Sequence, residues 1–307
     1  MPITQIIDPA NNVLLPIDKA AEHFDEQGLV PAETIYALIK QQVDERNEYG
    51  GEHLSPSQIT PRSTCRRELI LKRFFDYAQD PFQLWKAMEG TLYHDAFAHS
   101  GKDRPGAERE LSLPDNHLHA SHPLIQIREG RPRIEVFPGV WMRGTVDLLM
   151  QSLGTIVDYK TTKYTAQDYW DRQSEEWKPQ INIYAYIVEL LRECGITHLW
   201  VWRLYRGAYD STKAFRKIPI QKVERDDLWF ELKPWVEETL ALLQRANEIY
   251  QTGLIKGTDW KPALEQLVRT IGMEGENMFK GKDGSNKCTR YCPVKDLCFG
   301  IEGRMNF

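Results

Sequence analysis

Gly144-Thr145-Val146-Asp147-Leu148-Leu149-Met150, Gln151-Ser152-Leu153-Gly154 and Thr155-Ile156-Val157-Asp158-Tyr159-Lys160-Thr161-Thr162 follow one another in the middle of the chain. The outer two stretches are rich in β-branched and apolar residues. The four residues between them read as a turn, so the pattern predicts a β-hairpin. Each strand carries one acid where a buried strand would prefer an aliphatic residue. With the turn centred between Ser152 and Leu153, Asp147 falls opposite Asp158, about 4.5–5.5 Å away at Cβ. Lys160, two residues on, points to the same face as Asp158.

Like charges at that separation repel, and each raises the other's affinity for a proton. A divalent cation relieves the conflict, and hard carboxylate oxygens suit Mg²⁺ or Mn²⁺. A cation held there can lower the pKa of a water and stabilise charge on a phosphoryl oxygen. The lysine would position the attacking water or neutralise charge building up in the transition state. On an exposed hairpin the same residues would be only a wet face of alternating charge. The motif is short, so the remainder of the chain has to decide.

The chain has 307 residues, 41% hydrophobic and 11% aromatic, enough for a sizeable core in one large or two modest domains. The net charge of −5 argues against a protein that coats nucleic acid through bulk charge. Contact with nucleic acid then needs a local patch, which favours an enzyme with a channel over a passive binder. No apolar run is long enough to span a bilayer. The start, Met1-Pro2-Ile3-Thr4-Gln5, lacks the basic-then-apolar plan of a signal peptide. These features predict a cytoplasmic protein.

Upstream of the hairpin, residues 1–50 read as an appended helical extension, with one helix over 32–46, and residues 51–307 as the main domain. Ser55 and Ser57 suit helix N-caps. Residues 62–75 predict a helix with an apolar face (Leu69, Ile70, Phe74) and a basic one (Arg62, Arg66, Arg67, Lys72, Arg73). That basic face is either a solvated surface or one that tracks phosphates, Arg66 and Arg67 being the candidates. A helix over 82–99 holds Gly90-Thr91-Leu92-Tyr93-His94, and His94 becomes a third metal ligand if that helix packs against the two acids. Residues 108–113 predict a short strand. His117, His119 and His122 could bind metal, but their polar, proline-flanked tract reads as a loop. Residues 133–150 predict two strands parted by Pro138-Gly139.

Downstream, residues 163–178 are polar but hold Tyr164, Tyr169, Trp170 and Trp177, suited to stacking bases or to packing under a loop. A helix is expected from Pro179, in the first helical position, to a cap at Gly195. Gln180 and Tyr184, four apart, share one face of it. Residues 197–206 predict a strand with Leu199, Val201 and Leu204 on one face and Trp200, Trp202 and Arg203 on the other. Residues 214–223 predict another strand, and 226–250 a long amphipathic helix. There is no internal repeat. The order of elements is that of a mixed α/β fold.

Five cysteines without an export signal argue against structural disulfides. Cys288, Cys292 and Cys298 lie within eleven residues of a loop-rich tail, and such clusters in intracellular proteins more often bind metal. A fourth ligand completes either a tetrahedral zinc site or a four-thiolate cluster. Cys65 is the candidate, which leaves Cys194 as a buried free thiol in the Gln180 helix. Spacing does not separate zinc from an iron–sulfur cluster. Either would staple residue 65 to the C-terminal region.

Taken in order, these motifs resemble the RecB-like branch of the PD-(D/E)XK nuclease superfamily, especially its iron–sulfur members such as the Cas4 proteins and the nuclease domain of AddB. The resemblance runs from about residue 54 to residue 300. Leu54-Ser55-Pro56-Ser57 with Cys65 looks like the opening motif and first cluster cysteine. Gly90-Thr91-Leu92-Tyr93-His94 looks like the histidine motif, Gly144-Thr145-Val146-Asp147 and Asp158-Tyr159-Lys160 like the two metal-site motifs, and Gln180-Ile181-Asn182-Ile183-Tyr184 like the Q-x-x-x-Y motif. Cys288, Cys292 and Cys298 match the trailing triplet. Asp158 stands where many members have Glu, a variant allowed in this branch.

The resemblance implies a restriction-endonuclease-like core, a central mixed β-sheet flanked by helices, with an iron–sulfur-stapled C-terminal region. It implies Mg²⁺ or Mn²⁺ held by His94, Asp147, Asp158 and the backbone carbonyl of Tyr159, with Asp147, Asp158 and Lys160 catalytic. It implies a [4Fe–4S] cluster on Cys65, Cys288, Cys292 and Cys298, and DNA contacts by Gln180 and Tyr184. The activity implied is a metal-dependent deoxyribonuclease, an exonuclease on DNA ends or single strands, in recombination, repair or CRISPR adaptation, in a cell or a phage. No Gly-x-x-x-x-Gly-Lys-Ser/Thr loop is present, so strand separation would come from a helicase or another recombination or CRISPR partner. The other reading is a non-catalytic DNA-binding or adaptor protein that keeps the fold. Retention of both acids and the lysine favours the nuclease.

Overall fold

The computed structural model describes residues 3–8, 13–16, 19–20, 22–23, 53–79, 92–93, 96, 107–113, 122–128, 131–162, 167–205, 215–277, 288 and 292–302. The expected helix over 32–46, and His94, His117, His119 and Tyr164, lie outside these residues. The chain divides into two units, one of His53–Arg62 with Gly90–Glu237, the other of Met1–Glu52, Ser63–Glu89 and Glu238–Phe307.

In the second of these units, β1 (Ile3–Asp8) lies between β2 (Val13–Pro16), antiparallel, and β3 (Tyr77–Gln79), parallel. The described elements of the first fifty residues thus include two strands that the sequence reading lacked. Helix α1 (Arg66–Phe74) buries Leu69, Ile70, Leu71 and Phe74. Phe74 meets Tyr250 at 5.7 Å, and Phe75 meets Trp260 at 5.8 Å between ring centroids. Trp260 closes on Gly253, where a Cβ would stand 2.6 Å from the Trp260 Cβ. The tail is less loop-rich than expected, with helices at Lys261–Thr270 and Lys295–Ile301.

The first unit is built on a five-stranded sheet. Its members are β4 (Ala107–Leu113), β8 (Gly144–Met150), β9 (Thr155–Thr162), β10 (His198–Tyr205) and β11 (Phe215–Ile220), in the order β11-β10-β9-β8-β4. β9 and β10 are parallel and the other neighbours antiparallel, so the sheet is mixed. A parallel pair needs a crossover. Helix α2 (Gln167–Arg192) supplies it, with Ile181, Ile183, Ala185, Ile187 and Val188 buried. Central position makes β9 buried from Thr155 to Tyr159, which explains its near-continuous apolar run. Strands β5 (Ile125–Arg128), β6 (Arg131–Phe137) and β7 (Val140–Met142) form a separate antiparallel sheet rather than a lead-in to the hairpin.

Two local expectations need correction. The helix begins at Gln167, twelve residues before Pro179, and Pro179 lies inside it. It ends at Arg192, followed by Glu193 in the left-handed region (φ 49°), so Gly195 is not the cap. Cys194 accordingly sits in the connection after the helix, half-buried. On β10 the alternation places Leu199, Val201, Arg203 and Tyr205 on the buried side, so Arg203 faces inward and Leu204 outward. Helix α3 (Arg225–Lys256) matches the long amphipathic helix, with Leu228, Leu232, Val236 and Leu243 buried. Among the described residues no helix is long and apolar enough to cross a membrane.

Candidate active site

The hairpin forms in the expected register, with Leu148 opposite Val157, Leu149 opposite Ile156 and Met150 opposite Thr155. Gln151–Leu153 make one 3-10 turn, and Gly154 completes it at φ +55°, a conformation that favours glycine. Asp147 and Asp158 stand one position beyond the last paired residues, Leu148 and Val157. There the ladder gives way to a side chain, and Asp147 Oδ2 accepts the Tyr159 N–H at 2.7 Å. In an extended strand the N–H and C=O of one residue point to the same neighbour. The Tyr159 carbonyl therefore faces the Asp147 strand as well.

Asp158 is buried, and its Oδ2 pairs with Lys160 Nζ at 2.8 Å. Helix α2 lays Gln180 over this pair. Gln180 Nε2 donates to Asp158 Oδ1 at 3.2 Å, and Gln180 Oε1 accepts from Lys160 Nζ at 3.3 Å. Gln180 Nε2 also lies 3.4 Å from the Tyr184 hydroxyl. One amide thus spans the acid, the lysine and the tyrosine. Burial works against the Lys160 charge, but Asp158 and then Asp147 outweigh it and hold the ammonium above the ordinary lysine range. Burial, followed by the charges of Asp158 and Asp147, pushes the Tyr184 phenol up. Lys160 Nζ thus serves both Asp158 and Gln180 as a hydrogen-bond donor.

Gly144 is needed for space. A Cβ there would lie 2.6 Å from Tyr184 Cε1, and 3.1 and 3.2 Å from Pro56 Cγ and Cδ. We expect Gly144→Ala to displace the Tyr184 ring and to cost about 1–3 kcal/mol, as overpacked cores do. A lower urea midpoint with an unchanged slope checks this. An unchanged midpoint would mean that the ring contact does not constrain the site.

A family model for the PD-(D/E)XK nuclease superfamily matches residues 116–299, more than half of the chain and including the hairpin, Gln180 and the cysteine triplet. The chain belongs to the PD-(D/E)XK nuclease superfamily. No curated protein sequence matches it. Among solved structures it is similar to SSO0001, with 12% identity, 69% of this chain and 87% of that one covered, and a TM-score of 0.41. It is also similar to a phage-related exonuclease from Haemophilus somnus 129PT, with 12% identity, 80% and 89% covered, and a TM-score of 0.29.

Among the described residues of this superfamily member, no group of three or more His, Cys, Asp or Glu side chains is arranged to hold a metal ion. In the hairpin the described donors are two carboxylates and a backbone carbonyl. They are hard oxygens of the kind Mg²⁺ and Mn²⁺ accept, and PD-(D/E)XK nucleases generally use such divalent metals.

Cys65, Cys288, Cys292 and Cys298 are all buried and line one cavity, walled in part by Met273, Val294 and Phe299. Cys65 is the residue immediately before α1, and Cys298 lies in the helix Lys295–Ile301, with its Sγ 3.7 Å from Met273 Sδ. Thiols are the donor type of a thiolate-held metal centre, although these four, like the other described residues, are not arranged here to hold a metal ion.

Arg66 and Arg67 are not on a free basic face. Arg66 pairs with Glu238 and Glu274, and its backbone N–H donates to Glu274 Oε2 at 2.9 Å. Arg67 is buried, pairs with Glu302 and points Nη1 at Met273 Sδ. Their acids lie more than 170 residues downstream, so local sequence could not reveal the pairing. Sequence reading also missed Arg203. The signal was available in the strict alternation from Leu199 to Tyr205.

Proposed function

We propose that this nuclease-superfamily chain is a metal-dependent deoxyribonuclease, an exonuclease acting on DNA ends or single strands, of the RecB-like, Cas4-like iron–sulfur branch. The observation that carries it is the Asp147–Asp158–Lys160 constellation, with Gln180 bridging the last two. Asp147, Asp158, the Tyr159 carbonyl and His94 would hold Mg²⁺ or Mn²⁺. When bound, the cation polarises the scissile phosphoryl group and lowers the pKa of the attacking water. Asp147 is oriented by the Tyr159 N–H, and Asp158 by Gln180. Lys160 keeps its proton and directs it at charge developing on the phosphate. Gln180 and Tyr184, both buried here, order the acid and the lysine, and in the resemblance they also touch DNA. Arg66 and Arg67, the candidates for DNA contact on α1, are engaged in ion pairs with Glu238, Glu274 and Glu302.

Cys65, Cys288, Cys292 and Cys298 would hold a [4Fe–4S] cluster with a structural role. The expected setting is cytoplasmic, in recombination, repair or CRISPR adaptation, with a partner to separate strands. The test is cleavage of end-labelled linear DNA and closed circles, single- and double-stranded, with Mg²⁺ or Mn²⁺. Degradation of linear DNA with sparing of circles supports the exonuclease. Cutting of circles makes the protein an endonuclease. No cleavage of any form by metal-replete protein removes the enzymatic reading in favour of an adaptor.

A further inference from the structure

We infer that Arg203 is a positioning residue whose guanidinium, held against Trp177, fixes the Pro179 turn of α2 so that Gln180 stays bridged between Asp158 and Lys160. The sheet register pairs Arg203 with Lys160 and Val201 with Asp158 on parallel neighbouring strands. Paired residues of a parallel ladder point to the same side of the sheet. Arg203 therefore stands one strand beyond the catalytic lysine, on the face that α2 covers. It has no solvent exposure. Its guanidinium carbon lies 5.7 Å from the Trp177 ring centroid and 5.0 Å from that of Tyr205. Trp177 and Gln180 are three apart on α2 and share a face.

The helix needs such a brace at this turn. Pro179 has no N–H, so the hydrogen bond it would give to the carbonyl of Glu175 cannot form, and its ring crowds that carbonyl. The missing bond falls one residue before Gln180. On the C-terminal side of the proline, Asn182 pins the helix: its Nδ2 donates to Gln221 O at 3.0 Å, and its Oδ1 accepts the Val223 N–H at 2.9 Å. On the N-terminal side the Trp177–Arg203 contact ties the helix to β10. A planar guanidinium suits an aromatic face better than an ammonium does. A desolvated charge is a costly way to fill space that methionine could fill.

The inference rests on the proposed nuclease reading for its activity arm, so the experiment has two arms. The first follows the side-chain amide signal of Gln180 in ¹⁵N-labelled protein, assigned by its loss in Gln180→Ala. Arg203→Met is expected to shift that signal, and Arg203→Lys to shift it less. The second measures cleavage. Arg203→Met is expected to lower kcat about tenfold, the scale of a small misplacement at a reacting centre. KM should stay within about twofold, because binding is not what changes. In the Gln180→Ala background Arg203→Met should add nothing. A folded Arg203→Met protein with an unmoved Gln180 signal overturns the brace. So does an equal loss of kcat with and without Gln180, the pattern of a merely structural arginine. Wild-type protein that cleaves no DNA sinks the nuclease reading, and the Gln180 signal still decides the brace.

Discussion

Lys160→Met is expected to lower DNA cleavage by about a hundred- to a thousandfold, the usual effect of removing one preorganised donor from a developing oxyanion. The lysine is fixed at both ends of its reach, by Asp158 at 2.8 Å and by Gln180 at 3.3 Å. It therefore presents its charge without reorganising. Methionine keeps the stem and removes the ammonium. The Asp158 and Asp147 carboxylates hold the ammonium above the ordinary lysine range against the effect of burial. The sign of that shift matters. A raised folded-state value means that the ion pair is complete below the ordinary lysine pKa of about 10.4, and is lost only as pH rises through the raised value. A limb in the pH–rate profile near neutrality would then not belong to Lys160. Circular dichroism and the melting curve of the variant show whether the loss is one of chemistry. A variant with near-normal turnover would take Lys160 out of the reaction.

The second large effect concerns the cysteine cavity. Cys292→Ala is expected to remove iron and sulfide together and to lower the melting temperature by about 10 °C, taking a loss of ~3 kcal/mol and ~2–4 °C per kcal/mol in a chain of this size. The reason lies in what the cavity joins. Cys65 precedes α1, whereas Cys288, Cys292 and Cys298 belong to the C-terminal tail, and metal binding to such a set is folding free energy for the segments it ties. Cys194→Ala is the control. That residue lies half-buried in the connection after α2, in the other unit, and should leave iron and melting unchanged. Iron lost without a change in melting would contradict a structural role. Stoichiometric zinc in anaerobically purified protein would replace the cluster with a zinc site.

The acidic hairpin was legible because its signals are local. β-branched runs, a four-residue turn and a fixed side-chain period set the register, and the register sets which acids face each other. The helix carrying Gln180 was legible for its apolar core but not for its start, because a proline at a helix's first position and a proline inside one look alike until packing decides. Arg203 faces inward despite its charge, because it shares the parity of Leu199, Val201 and Tyr205 on β10. Arg66 and Arg67 read as a solvated or a phosphate-tracking face because Glu238, Glu274 and Glu302 are remote in sequence. Long-range pairing of charges leaves no periodic trace.

In the proposed function Asp147, Asp158 and Lys160 form a cation-dependent phosphodiesterase centre. Its most direct test is the initial rate on end-labelled single-stranded DNA, with Mn²⁺ and with EDTA, for wild type and Lys160→Met side by side. The expected result is cleavage by the wild type that EDTA abolishes and that the variant nearly lacks. Cleavage that persists in EDTA, or that is as fast in Lys160→Met, would contradict it.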